Sequence, residues 1–322
     1  MNSVGPLSLV DPELRPALSS LPDFSALSDA SLPAFRSMLG GDGDRLGRDG
    51  ALTVSRVAVP SGHGADPIPA LLYRPQAAAG NRVPALLNLH GGGYVAGCAQ
   101  REDAAMRVVA RELGCIVLTP DYRLAPDSPY PAALDDSESA LQWLYAEAAT
   151  LSIDTERIAV RGSSAGGGLA LGLALRLRDN GGARMSFLQL IYPMLDDRTK
   201  EHAYTGKFVW TAAANRFGWD SLLRGQDRAD PPPCAVPGRE RNVAGLPPVF
   251  LAVGSIDLFA RENLELAMRL IDAGIAVEMH LYPGAYHGFP LVADSRVAKS
   301  LSRDAIASLR TALNLNGGDS KI

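Results

Sequence analysis

From residue 52 onward, short apolar runs alternate with longer stretches whose apolar residues recur every three to four positions. The β-branched runs predict strands at Leu52–Val59, Ala70–Tyr73, Ala85–Leu89, Cys115–Thr119, Arg157–Val160, Phe187–Tyr192, Val249–Val253 and Val277–Tyr282. The helical spacing predicts helices at Glu102–Leu113, Pro131–Ala149, Ala165–Arg178, Arg261–Ala273 and Asp294–Leu313. Two strand-rich segments come first, and strand and helix alternate after them. That order implies an eight-stranded, mostly parallel sheet with helices on both faces and an antiparallel edge. Ligands in such sheets sit at the carboxyl ends of the strands, so chemistry is expected just after each strand run.

Two segments depart from this rhythm. Residues 1–39 carry leucines and prolines without strand-like alternation, and two short helices are expected there, at Pro12–Leu21 and Leu32–Leu39. The glycine- and aspartate-rich stretch GGDGDRLGRDG at 40–50 reads as a hinge. Residues 200–226 hold two of the three tryptophans and no strand pattern, and a proline run, Pro231–Pro233, follows. They read as a helical insertion with a long return loop.

Composition narrows the function classes. Hydrophobic residues at 47% and charged residues at 20% describe a globular chain with a large core. A net charge of −4, with no block of like charges, argues against nucleic acid or an anionic membrane as partner. Cys98, Cys115 and Cys234 have neither zinc nor disulfide-framework spacing, which suits free thiols in the cytoplasm and no metal. The first residues lack a cationic stretch before an apolar run, so no signal peptide is expected, and no apolar stretch is long enough for a membrane span.

Gly162-Ser163-Ser164-Ala165-Gly166 fits G-x-S-x-G and lies between a strand run and a helical run. A serine on that sharp turn projects into the cleft, with helix N–H groups behind it. The other reading of such a turn is a phosphate cradle, but no lysine follows as in a P-loop. His90-Gly91-Gly92-Gly93-Tyr94 directly follows another strand run. Glycines let backbone N–H groups approach a tetrahedral oxyanion, so Gly92, Gly93 and Ala165 are the expected donors. His90 and Gly91 are expected to brace this loop.

A serine hydroxyl needs a base, and the base needs an orienting acid. Of five histidines, His287 stands after the last strand run; His280 lies within that run, while His63 and His202 occupy a loop and the insertion. Asp257 follows the strand Val249–Val253 and is favoured as the acid, with Asp196 and Asp197 as rivals after Phe187–Tyr192. Ser164, Asp257 and His287 are thus the expected triad.

With HGGG at 90–93, DYRLAP at 121–126, GSSAGG at 162–167, Asp257 and YHGF at 286–289, the chain from about residue 50 onward resembles the hormone-sensitive-lipase-like esterases of the α/β-hydrolase fold. The resemblance implies a cofactor-free serine carboxylesterase acting on short- to medium-chain esters. Amide, lactone or carbamate hydrolysis by the same triad is the alternative, and a non-catalytic ligand-binding homologue is a further one. It also implies a helical cap made of residues 1–45 and 200–226, over a core of 46–199 and 227–322. Tyr94, Phe208, Trp210, Phe217 and Trp219 are then expected at the substrate pocket, unless they pack the cap. Family members often pair, which leaves a homodimer open. The family often has an acid before the nucleophile, where this chain has Ser163. DYRLAP is expected to tie loops through Asp121 and Arg123 and not to catalyse.

Overall fold

In the computed structural model, which describes residues 5–21, 24–41, 46–76 and 81–315, all eight expected strands form and join one sheet. A ninth, β1 (Gly47–Asp49), pairs antiparallel with β2 (Leu52–Val59) across a two-residue turn. Gly50 takes a φ of 61°, so a glycine that reads as part of a breaker instead opens the turn Gly50-Ala51 of a hairpin. Residues 42–45 of the expected hinge lie outside the described residues.

The sheet continues with β3 (Ile68–Pro75), β4 (Val83–Leu89), β5 (Ile116–Pro120), β6 (Ile153–Ser163), β7 (Phe187–Ile191), β8 (Val249–Gly254) and β9 (Val277–Tyr282). Its order is β1-β2-β3-β5-β4-β6-β7-β8-β9. Pairing is antiparallel up to β3–β5 and parallel from β5 to β9. From β4 the chain crosses to β5 on one side and then to β6 on the other. The crevice beyond the carboxyl ends of β4 and β6 is therefore the topological switch point, where open α/β sheets bind ligands.

The pleat divides the core in two. Leu87, Leu118, Val160, Leu188 and Leu251 pack under α3 (Ala132–Ala146), α5 (Ala165–Asn180) and α7 (Ala260–Asp272). Their strand neighbours Leu86, Val117, Ala159, Phe187 and Phe250 pack under α2 (Asp103–Leu113) and α8 (Arg296–Ala312). Each fully buried leucine contributes about 1.5–3 kcal/mol. A short α4 (Ala148–Leu151) follows α3.

The N-terminal expectation needs correction. No α-helix spans Pro12–Leu21; 3-10 turns form at Pro6–Leu9 and Pro16–Ser19. Pro12 and Pro16 stand four apart, and a helix through both would lose N–H donors and press the Pro16 ring on the residue 12 carbonyl. Val10 and Leu14 bury themselves beside Tyr286, whose hydroxyl donates to the Leu14 carbonyl at 3.2 Å. The second expected helix does form, as α1 (Leu32–Met38). In 200–226 the helix is α6 (Ala212–Leu222), capped by Thr211 Oγ1 on the Ala214 N–H. Among the described residues no helix is long and apolar enough to cross a membrane.

Candidate active site

Ser164 stands between β6 and α5 with φ 54° and ψ −119°, a conformation that costs a non-glycine residue about 1–3 kcal/mol. Its surroundings hold it there. The Ser164 N–H donates to the Ile191 carbonyl at 2.9 Å, and its carbonyl accepts from the Met194 N–H at 2.9 Å. The helix behind it lies hard against β4. A β-carbon at Gly166 would collide with the carbonyl oxygens of Leu89 and His90, which explains the glycine two residues past the serine.

His287 lies after β9 and Asp257 after β8, as the strand-end rule requires. Ser164 Oγ is 2.9 Å from His287 Nε2, and His287 Nδ1 is 2.9 Å from Asp257 Oδ2. An ionised carboxylate can only accept, so Nδ1 carries the imidazole proton and Nε2 is left free to accept from the serine hydroxyl. The other Asp257 oxygen accepts the Phe259 N–H at 2.9 Å, which fixes the carboxylate's rotation. Asp257 is 0% exposed. Edge-on contacts from Tyr192 and Phe259, with ring centroids at 4.9 and 5.0 Å, set the plane of the imidazole.

The rival groups are engaged elsewhere. Asp197 pairs with Arg228 and Arg239, and Asp196 with Arg198. His280 pairs with Glu278 at 2.7 Å and with Asp304 at 3.5 Å, and His63 stands 3.9 Å from Asp135. His202 is exposed. Among the described residues no three histidine, cysteine or acidic side chains gather as for a metal ion.

The glycine turn reaches the same place from β4. Gly92 and Gly93 have φ of 137° and 64°, and Gly92's carbonyl accepts from Val95 and Ala96 at 3.2 and 3.1 Å. Gly91 lies so close to the turn at Ser164 that a β-carbon there would stand 3.3 Å from Ser164 Cβ. His90 braces this turn. Its Nδ1 meets the Gly91 carbonyl at 2.9 Å, and its ring stacks on Tyr122 at 4.1 Å. The Tyr122 hydroxyl in turn donates to the His90 carbonyl at 2.7 Å. Burial lowers the His90 pKa against the pull of the Gly91 carbonyl, Asp121 and Glu102, which favours the neutral ring. DYRLAP ties loops: Asp121 accepts the Ala99 N–H at 2.6 Å, and Arg123 clamps Asp136 of α3 at 2.7 Å.

A cavity of about 480 Å³ opens over Ser164 and His287, walled by Phe24, Phe35, Tyr192, Val209, Trp210 and Leu291. Of the five aromatics expected at the pocket, Trp210 lines it and four do not. Tyr94 is buried and donates to the Met194 carbonyl at 3.0 Å, and Trp219 packs on it at 5.0 Å. Phe217 packs against the core, and Phe208 leans on Tyr286 at 6.4 Å. Phe24 and Phe35, from the N-terminal segment, take their place. They stack edge to face at 5.3 Å, with Phe24 6.4 Å from Trp210.

Three further side chains were not foreseen: Asn88, Glu102 and Arg161. Glu102 Oε2 is 2.8 Å from Asn88 Nδ2 and 3.0 Å from Arg161 Nη1, and its Oε1 accepts from Ser163 Oγ at 2.6 Å. Burial alone would raise the Glu102 pKa, but the Arg161 charge and the Ser163 and Asn88 bonds outweigh it, and the carboxyl lies below its ordinary value. The sequence signal was a polar residue, Asn88 or Arg161, inside each of two buried apolar strands.

A family model described as "alpha/beta hydrolase fold" matches residues 86–291. An esterase of Mycobacterium tuberculosis, LipI, is 34% identical over 287 residues, 87% of this chain and 88% of that protein. An ethyl acetate hydrolase of Pseudomonas putida is 33% identical over 241 residues, 69% of this chain and 71% of that protein. Among solved structures, a bacterial heroin esterase superposes with a TM-score of 0.85 at 34% identity, covering 95% of this chain and 99% of its own.

Proposed function

The chain belongs to the hormone-sensitive-lipase-like esterases of the α/β-hydrolase fold, and we propose that it hydrolyses short- to medium-chain carboxylic esters through an acyl-enzyme on Ser164. The observation that carries this reading is the buried relay from Ser164 through His287 to Asp257, with both links at 2.9 Å.

Ser164 Oγ attacks the ester carbonyl as His287 Nε2 takes its proton. Asp257 holds the ring's tautomer and stabilises the imidazolium. The N–H groups of Gly92, Gly93 and Ala165 receive the oxyanion. His287 then returns the proton to the leaving alcohol. Water, deprotonated by the same nitrogen, attacks the acyl-enzyme, releases the acid and restores Ser164. Every bond-making step uses side chains and backbone of this chain, and no cofactor enters it.

The cavity supports an ester with a modest apolar group: its volume is near 480 Å³ and its walls are mainly aromatic and aliphatic. Residues 24–39 and 200–226 serve as its roof in this reading. A cytoplasmic setting is supported by three free thiols. A homodimer is supported by the exposed stripe Leu264, Met268 and Ile271 on α7 beside the edge strand β9; a monomeric mass in sedimentation velocity at micromolar protein excludes it.

Ser164→Ala is expected to lower kcat for p-nitrophenyl esters by at least about 10⁴-fold while leaving the fold intact. Turnover within tenfold of the unmutated enzyme overturns the assignment. An acyl-length series run beside this variant reads the cutoff set by the cavity. Amide and lactone panels in the same assay test the alternative substrates.

A further inference from the structure

The Glu102 cluster takes no part in the steps above, yet it joins the two strands that deliver them. Glu102 ends the turn Ala99–Glu102 that leads into α2, and it lines the cavity with Ser163, Ser164 and His287. Asn88 of β4 and Arg161 of β6 are register partners. Ser163 is two residues beyond Arg161, so its side chain leaves the same face of the strand. Asn88 stands two residues before His90, and Ser163 one before Ser164. One carboxylate therefore receives the Asn88 amide and Arg161 guanidinium at 2.8 and 3.0 Å and the Ser163 hydroxyl at 2.6 Å. Arg161 also donates to Asn88 Oδ1, which closes the ring.

We propose that Glu102 is a positioning residue for ester hydrolysis, fixing Ser163 and coupling β4 to β6 so that the nucleophile and the glycine turn keep their mutual geometry. The inference rests on Ser164 being the nucleophile. The strained φ of Ser164 persists only where its neighbours over-determine it. The Ile191 and Met194 bonds grip Ser164 on one side, and the Ser163 hydroxyl bond supplies the restraint on the other. All three of Glu102's partners donate. A carboxamide offers one acceptor oxygen and one donor group, so glutamine cannot receive all three as they stand. It also leaves the Arg161 charge without its counter-charge in the cavity floor.

The test compares Glu102→Gln, Ser163→Asp and the double variant in two assays: turnover of p-nitrophenyl butyrate, and phosphonylation of Ser164 by a p-nitrophenyl phosphonate. In Glu102→Gln, kcat and the phosphonylation rate are expected to fall together by about 10- to 100-fold, with KM within about twofold. Moving the carboxylate to residue 163 in the double variant is expected to restore about tenfold of that loss. Ser163→Asp alone crowds two carboxylates and is expected to fall below the unmutated enzyme. A general loss of packing would not be repaired by a relocated charge. If Glu102→Gln does not fold, Ser163→Ala cuts the same bond from the other end, and kcat is expected to fall about tenfold at constant KM. Glu102→Gln, or in its place Ser163→Ala, within twofold of the unmutated enzyme overturns the inference. So does an effect on KM alone, or a double variant no faster than Glu102→Gln. Failure of the unmutated enzyme to be labelled at Ser164 instead overturns the nucleophile assignment.

Discussion

At the scale of single residues, the convergence of Ser164, His287 and Asp257 was legible because each follows a strand run, and strand ends are where this class of sheet binds its ligands. Glu102 was not, because it reads as the first residue of a helix and its partners lie in other elements. The family's usual acid before the nucleophile is Ser163 here, and the nearby carboxylate arrives from 61 residues upstream. One-dimensional reading marks the exchange of residue type but not the donor of the charge. A second buried acid makes a pH prediction. Glu262 accepts from the Leu195 N–H at 2.8 Å and from Thr199, and burial raises its pKa well above 4.5 despite those bonds. Folding thus favours its protonated form. That contribution is present below about pH 4.5 and is lost as pH rises towards the folded value. Glu262→Gln keeps a neutral side chain of the same shape, so its Tm is expected to exceed the unmutated enzyme's at pH 8, with the gap shrinking towards pH 4.5. A gap that does not change across that range contradicts the burial argument.

At the scale of elements, the central strands were legible because burial on both faces leaves continuous apolar runs. β2 and β9 are half-buried and were legible by apolar residues interleaved with polar ones; both match the expected bounds residue for residue. The pocket wall was harder. An aromatic on an amphipathic segment faces a cavity or a core by a rotation that spacing alone does not fix. Hence Trp219 on α6 went to the core, while Trp210, just before the helix, went to the cavity. Thr211 links the two outcomes, since its hydroxyl caps α6 at the residue after Trp210. Thr211→Ala is expected to cost about 1 kcal/mol of stability in chemical denaturation. It is also expected to raise KM by loosening Trp210, while kcat changes little. An unchanged KM separates the cap from the pocket.

At the scale of the whole molecule, residues far apart in sequence close one cavity. Phe24 packs on Phe35 and meets Trp210 above Ser164, and Arg36 donates to the Val95 and Ala125 carbonyls at 2.8 and 3.0 Å. The N-terminal segment therefore steadies the stretch that follows the glycine turn as well as walling the pocket. Removing residues 1–39 is expected to lower Tm and to raise KM for butyrate esters about tenfold, as apolar contact worth about 1.5 kcal/mol is lost. An unchanged KM at reduced stability would confine this segment to a structural role.

The anchoring of Leu14 on Tyr286 also constrains the order in which the protein can be made. The two residues are 272 positions apart. At about 5–20 residues per second, roughly 15–50 s pass on the ribosome between the synthesis of one and that of the other. Through that interval Val10 and Leu14 have no finished surface to settle on. Val10 and Leu14 are thus made well before the residue they dock on, and can settle only after it. A nascent chain of this protein would expose Val10 and Leu14 to chaperones until Tyr286 has emerged.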